Sequence, residues 1–485
     1  MWIEKEIQKD ADSIQKTMEH LSRDYKAQLP RTIVSRIHVR DKEPYMTEFL
    51  TSFYHALRNA EYELYRNHSN QNGVNLPYEI TEIKNSANDL PHPRILSELQ
   101  RSYDIRRHHS NRGIGSSSID GGEDDRYIPY KVYQYIREKS ELCIQFQTMI
   151  HKRAITLYFI TFPESHVSVV CGKSASSAAC SLEIATYQLY AYKVFTWLYI
   201  VTSMSNKECS EKSLNVYFYM TPFKKERPAR GATGDDAILS AIHVNTGLTR
   251  NCETHGEIVV YRTEEWFKVF VHESMHNFNM DFIDQDLRAA NTQLRRTFCI
   301  PHDDVLLFET YTETWARIIN TMLNTYFQED GRMKQTQFIR TVREKIAHNA
   351  LFYAYQVVKV LEIMKLKYGH ITIQSPENTE ICSKRYAEET NVYAYYILGG
   401  VLSIYAVPFI SWCCETNHGK GGGGRVAAIR FSRQPGALPK LMDFISHMAR
   451  DPVILSMVAF IEKATAGGTT GSTTTAMKTM RMTMD

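Results

Sequence analysis

His272-Glu273-Ser274-Met275-His276 lies inside the apolar run from Val269 to Phe278, and no other stretch of the chain restricts the fold as strongly. Residues four apart share one face of a helix, so both imidazoles must project from the same side while the apolar residues pack on the other. Two imidazoles placed in this way can reach one zinc ion. A glutamate one position after the first can face the metal-bound water and take its proton. With 18 His among 485 residues, roughly 0.04 such matches are expected by chance. Val269, Phe270 and Val271 upstream and Phe278 downstream bury the rest of the helix, and Ser274 and Met275 add no charge that would compete with ligation.

A catalytic zinc needs a third protein ligand and one open position. A third histidine would fall six residues after His276, where Phe282 stands; Asp281, one residue short of that register, reads as the cap of a turn. A carboxylate from another helix is therefore required, and the helical run 304–324 supplies Glu309 and Glu313. At about 100° per residue, Val305, Thr312, Ala316, Ile319 and Leu323 form the inward stripe of that helix, with Glu309 close to it and Glu313 further round beside Asn320. Glu309 is accordingly expected as the ligand and Glu313 as the acceptor for a ligand imidazole N–H. A surface pair of Glu313 with Arg317 is compatible with that assignment. Tyr395 and Tyr396, on a later helix, are candidates to stabilise an oxyanion, although packing explains most of the 29 tyrosines.

The surrounding pattern predicts an α+β chain. Residues 1–145 read as mainly helical, with a flexible Gly/Ser-rich loop at 106–125. Residues 146–330 read as a core of strands (Ala154–Phe162, Leu214–Met220, His243–Thr249, Glu257–Tyr261) with a long apolar helix at 176–204. Thr263 is placed to cap the motif helix, with Glu264 and Glu265 in its first turn. A helical lobe follows at 331–465, and residues 466–485 form a low-complexity tail expected to be mobile. The uncharged segment from Thr390 to Cys414 reads as a buried helix entering an irregular stretch near Pro408, in preference to a membrane span.

Lys+Arg 57 against Asp+Glu 54 predicts no nucleic-acid partner. Nine cysteines without a CxxC argue against a disulfide framework and for a reducing, intracellular compartment. The charged N-terminus holds no signal-peptide core.

VFVHESMHNF resembles the extended signature of zincin-type zinc peptidases, and the Glu309/Glu313 spacing resembles that of thermolysin-like members, in which the first acid binds zinc and the second orients a histidine. The resemblance implies a zincin-like core over about 150–325, with a mixed sheet, a backing helix, an active-site helix and an edge strand that pairs with extended peptide. GEIVVYRTEEWFKVFVHESMHNFNMDF, FETYTETWA, AYYIL and MRMTM are further similar to a group of H-E-x-x-H proteins encoded by nucleocytoplasmic large DNA viruses. That likeness implies a protein made in an infected cell, with the virion as a location and capsid or other virion proteins as partners. The expected activity is zinc-dependent peptide hydrolysis with Glu273 as general base. The alternative is a structural protein on a zincin scaffold.

Overall fold

Apolar β-branched and aromatic runs in the middle of the chain build one mixed sheet. The computed structural model describes residues 2–28, 44–66, 79–84, 90–99, 127–163, 177–229, 232, 234–300, 304–328, 333–417, 425–466 and 475–484. The expected loop at 106–125 and the four-glycine run at 421–424 lie outside these. The described chain divides into two compact units, residues 1–7, 56–225 and 240–279, and residues 8–55, 226–239 and 280–485. The sheet unit thus ends at Asn279, and the helix carrying Glu309 belongs to the other.

In the first unit the strands are β1 (Glu79–Lys84), β2 (Leu142–Ile150), β3 (Arg153–Thr161), β4 (Ser213–Tyr219), β5 (Gly247–Thr249) and β6 (His255–Val260), in the order β1-β2-β3-β4-β6-β5. β3, β4 and β6 run parallel, while β1, β2 and β5 join antiparallel. The backing helix Ser177–Met204 makes the crossover from β3 to β4.

Side-chain alternation along these strands feeds two apolar layers. Phe159 and Phe218 stack at 4.7 Å on the face of the backing helix and the motif helix, where Tyr187 and Phe270 meet them. Tyr217, Tyr219, Ile160 and Val259 point to the opposite face, against Ile95, Leu96 and Tyr133. Each fully buried aromatic contributes about 1.5–3 kcal/mol, so the sheet is anchored from both sides.

Three strand expectations need correction. β1 lies in the region read as helical, and β2 straddles the boundary of that region and was not read as a strand. The third expected strand is only half present, because Ser240 and His243 form a capping box that turns Ala241–Val244 into a helical turn, leaving Gly247–Thr249 as strand. Cysteine pairing is also corrected, since a disulfide joins Cys209 to Cys252.

The second unit is helical. The glutamate helix Leu307–Phe327 is buried along nearly its whole length and packs with Gln335–Ile363 and with a π-helical segment, Tyr393–Leu398, continued by Gly399–Ile404. Gly400 permits Gly399–Ile404 to lie close against Gln335–Ile363, since a Cβ there would lie 2.5 Å from Val357 Cγ2. The chain bends by 89° at Tyr405 and stays helical through Pro408 in Ala406–Thr416, where proline in the first turn removes no helical hydrogen bond. Among the described residues no single helix is long and apolar enough to cross a membrane.

The end of the chain is a further correction. Residues 475–484 are docked in this unit: Met480, Met482 and Met484 are buried, as are Arg481 and Thr483. Gln356 Nε2 donates to the Arg481 carbonyl at 2.6 Å, Lys359 Nζ to the carbonyls of Ala476 and Thr479, and the Arg227 amide to Lys478 O at 2.8 Å.

Candidate metal centre

The motif helix runs Trp266–Asn277, two residues later than a Thr263 cap requires. Thr263 instead donates its hydroxyl to Thr221 O, and Glu265 precedes the helix in the left-handed region at φ 58°. The two acids expected in the first turn hold Lys225, whose amide donates to Glu264 at 2.5 Å and whose ammonium pairs with Glu265 at 2.9 Å. Both partners of that ion pair are buried.

The opposite end is held by Asn277. Its Oδ1 accepts from Ser210 Oγ at 2.8 Å, its Nδ2 donates to Thr249 Oγ1 at 3.2 Å, and its carbonyl takes the Cys252 amide at 3.0 Å. The Cys209–Cys252 disulfide therefore ties down the turn that caps the helix one residue after His276. Ser274, between the two histidines, accepts Trp197 Nε1 from the backing helix at 2.7 Å. The uncharged residue at this position thus fixes the rotation of the helix about its axis.

With both ends and one face fixed, His272, Glu273 and His276 share the remaining face, 6%, 8% and 6% exposed. The two Nε2 atoms stand 3.1 Å apart with the rings at 73°. Nitrogens bound tetrahedrally to one zinc at about 2.0–2.1 Å would stand roughly 3.3 Å apart, so the rings are held close to the spacing a shared ion requires. The ligand atoms of His272, His276 and Glu309 all lie within 4.8 Å of one another, and this is the one such group found among the described residues. Two imidazoles and a carboxylate suit zinc, and other divalent first-row ions accept the same donors.

On the glutamate helix the two acids differ from their expected settings. Glu309 is half-buried and Glu313 is 1% exposed. Glu313 accepts Arg317 Nε at 2.9 Å, so the pair read as a surface contact is an internal one. Arg317 also donates to Ser403 Oγ at 3.0 Å and to the Tyr395 carbonyl at 2.9 Å. Thr310, beside Glu309, donates to the Ala394 carbonyl at 3.1 Å. The π-helical carbonyls are thus satisfied by side chains of the glutamate helix, which fixes the turn bearing Glu309. Asp281 caps a turn as expected, accepting the Ile283 amide at 3.0 Å, and also takes the hydroxyl of Thr312.

One of the two tyrosine candidates is occupied elsewhere. The Tyr396 hydroxyl donates to the Met480 carbonyl, which commits it to the docked terminus, and Tyr395 serves Arg317 through its carbonyl. Two residues near Glu273 escaped the sequence reading. Tyr261 donates its hydroxyl to Tyr127 O at 2.8 Å; burial holds its phenol above the usual range, Arg262 opposes the rise, and Glu273 adds to it. Gly247 lies directly against the Glu273 side chain. Neither belongs to a motif, and only the folded contacts show them. The chain matches no family model, no curated protein and no solved structure.

Proposed function

We propose that this protein is a zinc-dependent peptide hydrolase with a zincin-like core, His272, His276 and Glu309 holding the ion and Glu273 acting as general base. The observation that carries the proposal is the convergence of two imidazoles and a carboxylate, with Glu273 adjacent to His272 on the same helix. When bound, zinc supplies Lewis acidity to a water and to the scissile carbonyl. Glu273 takes the proton of the attacking water and returns it to the leaving amine. β5 is the terminal strand of the sheet and passes beside Glu273, which suits an extended peptide adding as a further strand. The resemblance to viral H-E-x-x-H proteins supports a substrate met in an infected cell or particle.

A second reading has its own observation. Glu273 is 8% exposed and the Tyr396 hydroxyl is committed to Met480, which favours a metal that braces the fold without turnover. Glu273→Gln separates the two. A hydrolase keeps its zinc and loses about 10²–10⁴-fold in cleavage of a peptide library, the share that general-base assistance supplies. Equal cleavage by the variant and the wild type, free of contaminating protease, would overturn the assignment of the base. A brace shows no change with Glu273→Gln, and harm to folding with His272→Ala.

A further inference from the structure

Gly247 opens the edge strand β5, paired with Val260 of β6. Among the described glycines only Gly234 and Gly436 have positive φ, so the backbone at Gly247 does not itself demand glycine. Space does. A Cβ added there would lie 2.7 Å from Val269 Cγ1, 2.9 Å from Glu273 Cγ and 3.0 Å from Glu273 Oε1. Two of the three nearest atoms belong to Glu273, and one of them is a carboxylate oxygen. The edge strand and the motif helix therefore approach as closely as a bare Cα allows at the level of this carboxylate.

We infer that Gly247 is a positioning residue for Glu273, its missing side chain setting where the carboxylate stands relative to the two histidines. The inference rests on the reading of Glu273 as the base. A methyl group at 247 must push the side chain of Glu273 or the strand itself aside. The two ligand imidazoles are absent from the collision, so metal binding and base placement are separable at this position. Gly256 on β6 supplies a control. A Cβ there would collide with Ser210 Oγ and approach the Asn277 amide at 3.0 Å, close packing that does not involve Glu273.

The test compares Gly247→Ala and Gly256→Ala, each in the wild-type and Glu273→Ala chains, by thermal midpoint and by zinc affinity in competition with a chromophoric chelator. kcat and KM are measured on a quenched-fluorescent peptide selected from a library with the wild type. Gly247→Ala should bind zinc within about threefold of wild type, hold KM and lose about 10²-fold in kcat, the cost of misplacing a reacting group by about 1 Å. It should lower the midpoint in the wild-type chain and lower it less once Glu273 is trimmed, while Gly256→Ala costs the same in both. If Gly247→Ala fails to fold, Gly247→Ala/Val269→Ala relieves the third contact and carries the same measurements. Unchanged kcat, or equal midpoint losses with and without the Glu273 side chain, would overturn the inference. A wild-type protein that cleaves no peptide would overturn the hydrolase reading instead, and the midpoint coupling alone would then decide whether Gly247 sets the place of Glu273.

Discussion

The motif helix and the glutamate helix are both buried, yet they are fixed in opposite ways. The motif helix is held at its ends, by Lys225 with Glu264 and Glu265 before its start and by the Asn277 hub with its neighbouring disulfide at its finish. Opposite the Ser274–Trp197 bond, the face of its middle turn is left to His272, Glu273 and His276. The glutamate helix is held through its middle, where Arg317 answers Glu313 and both it and Thr310 reach the π-helical carbonyls. A charge buried for structure therefore sits with its counter-charge in the same helix, whereas the motif helix turns two imidazoles toward each other. That arrangement calls for something they can share.

The largest effect expected of this contrast is on the ion pair. Arg317→Ala removes the counter-charge of the buried Glu313 and should cost about 3–5 kcal/mol in chemical denaturation, while a joint Glu313→Gln/Arg317→Met change should recover most of it. A small loss in the single variant would show that the glutamate helix is not fixed through its middle. Next is the disulfide. Its removal by Cys209→Ser/Cys252→Ser should cost about 2–4 kcal/mol and speed amide exchange at the end of the motif helix. Exchange that rises elsewhere but not around Asn277 would remove the disulfide from the capping role.

The smallest effect concerns pH. Glu388 accepts the Tyr386 hydroxyl at 2.6 Å and the Tyr393 amide at 2.7 Å, and burial pushes its carboxyl up to about 7. The folded state then holds its proton over a range where the unfolded chain has released it. Stability should accordingly fall as pH rises from about 4.5 to about 7, by at most about 3 kcal/mol, and level off above. Glu388→Gln should flatten this slope. A slope that persists in the variant would assign it to other groups.

Much of the sheet unit was legible in the sequence because its signals are local. The histidine spacing marks the motif helix, and AITLYFITF and LNVYFYM are apolar on both faces, as strands covered by helices must be. β2 was not, since Gln145, Gln147 and Thr148 interrupt an otherwise strand-like run. The helical-wheel argument set Glu309 closer than Glu313 to the inward stripe, and the burial runs the other way. Glu313 is the more buried acid, and only the folded structure shows that Arg317 accounts for it. The terminus was misread because its Gly/Thr-rich approach and its last ten residues were judged together. Met480, Met482 and Met484 are flexible enough to fill a core that their sequence does not advertise. The link between Cys209 and Cys252 spans 43 residues, and nothing in the spacing of nine cysteines singles out that pair.

In the proposed function the histidine pair and Glu309 hold one metal ion. Metal content and X-ray absorption of the purified full-length protein, beside His272→Ala and Glu309→Ala, test it most directly. Close to one zinc per chain is expected, with nitrogen and oxygen ligands at about 2.0–2.2 Å and no sulfur. His272→Ala should lose the ion, and Glu309→Ala should bind it more weakly with one oxygen ligand fewer. A wild-type protein that takes up no zinc from a zinc-supplemented buffer, or one whose zinc is indifferent to both substitutions, would contradict it.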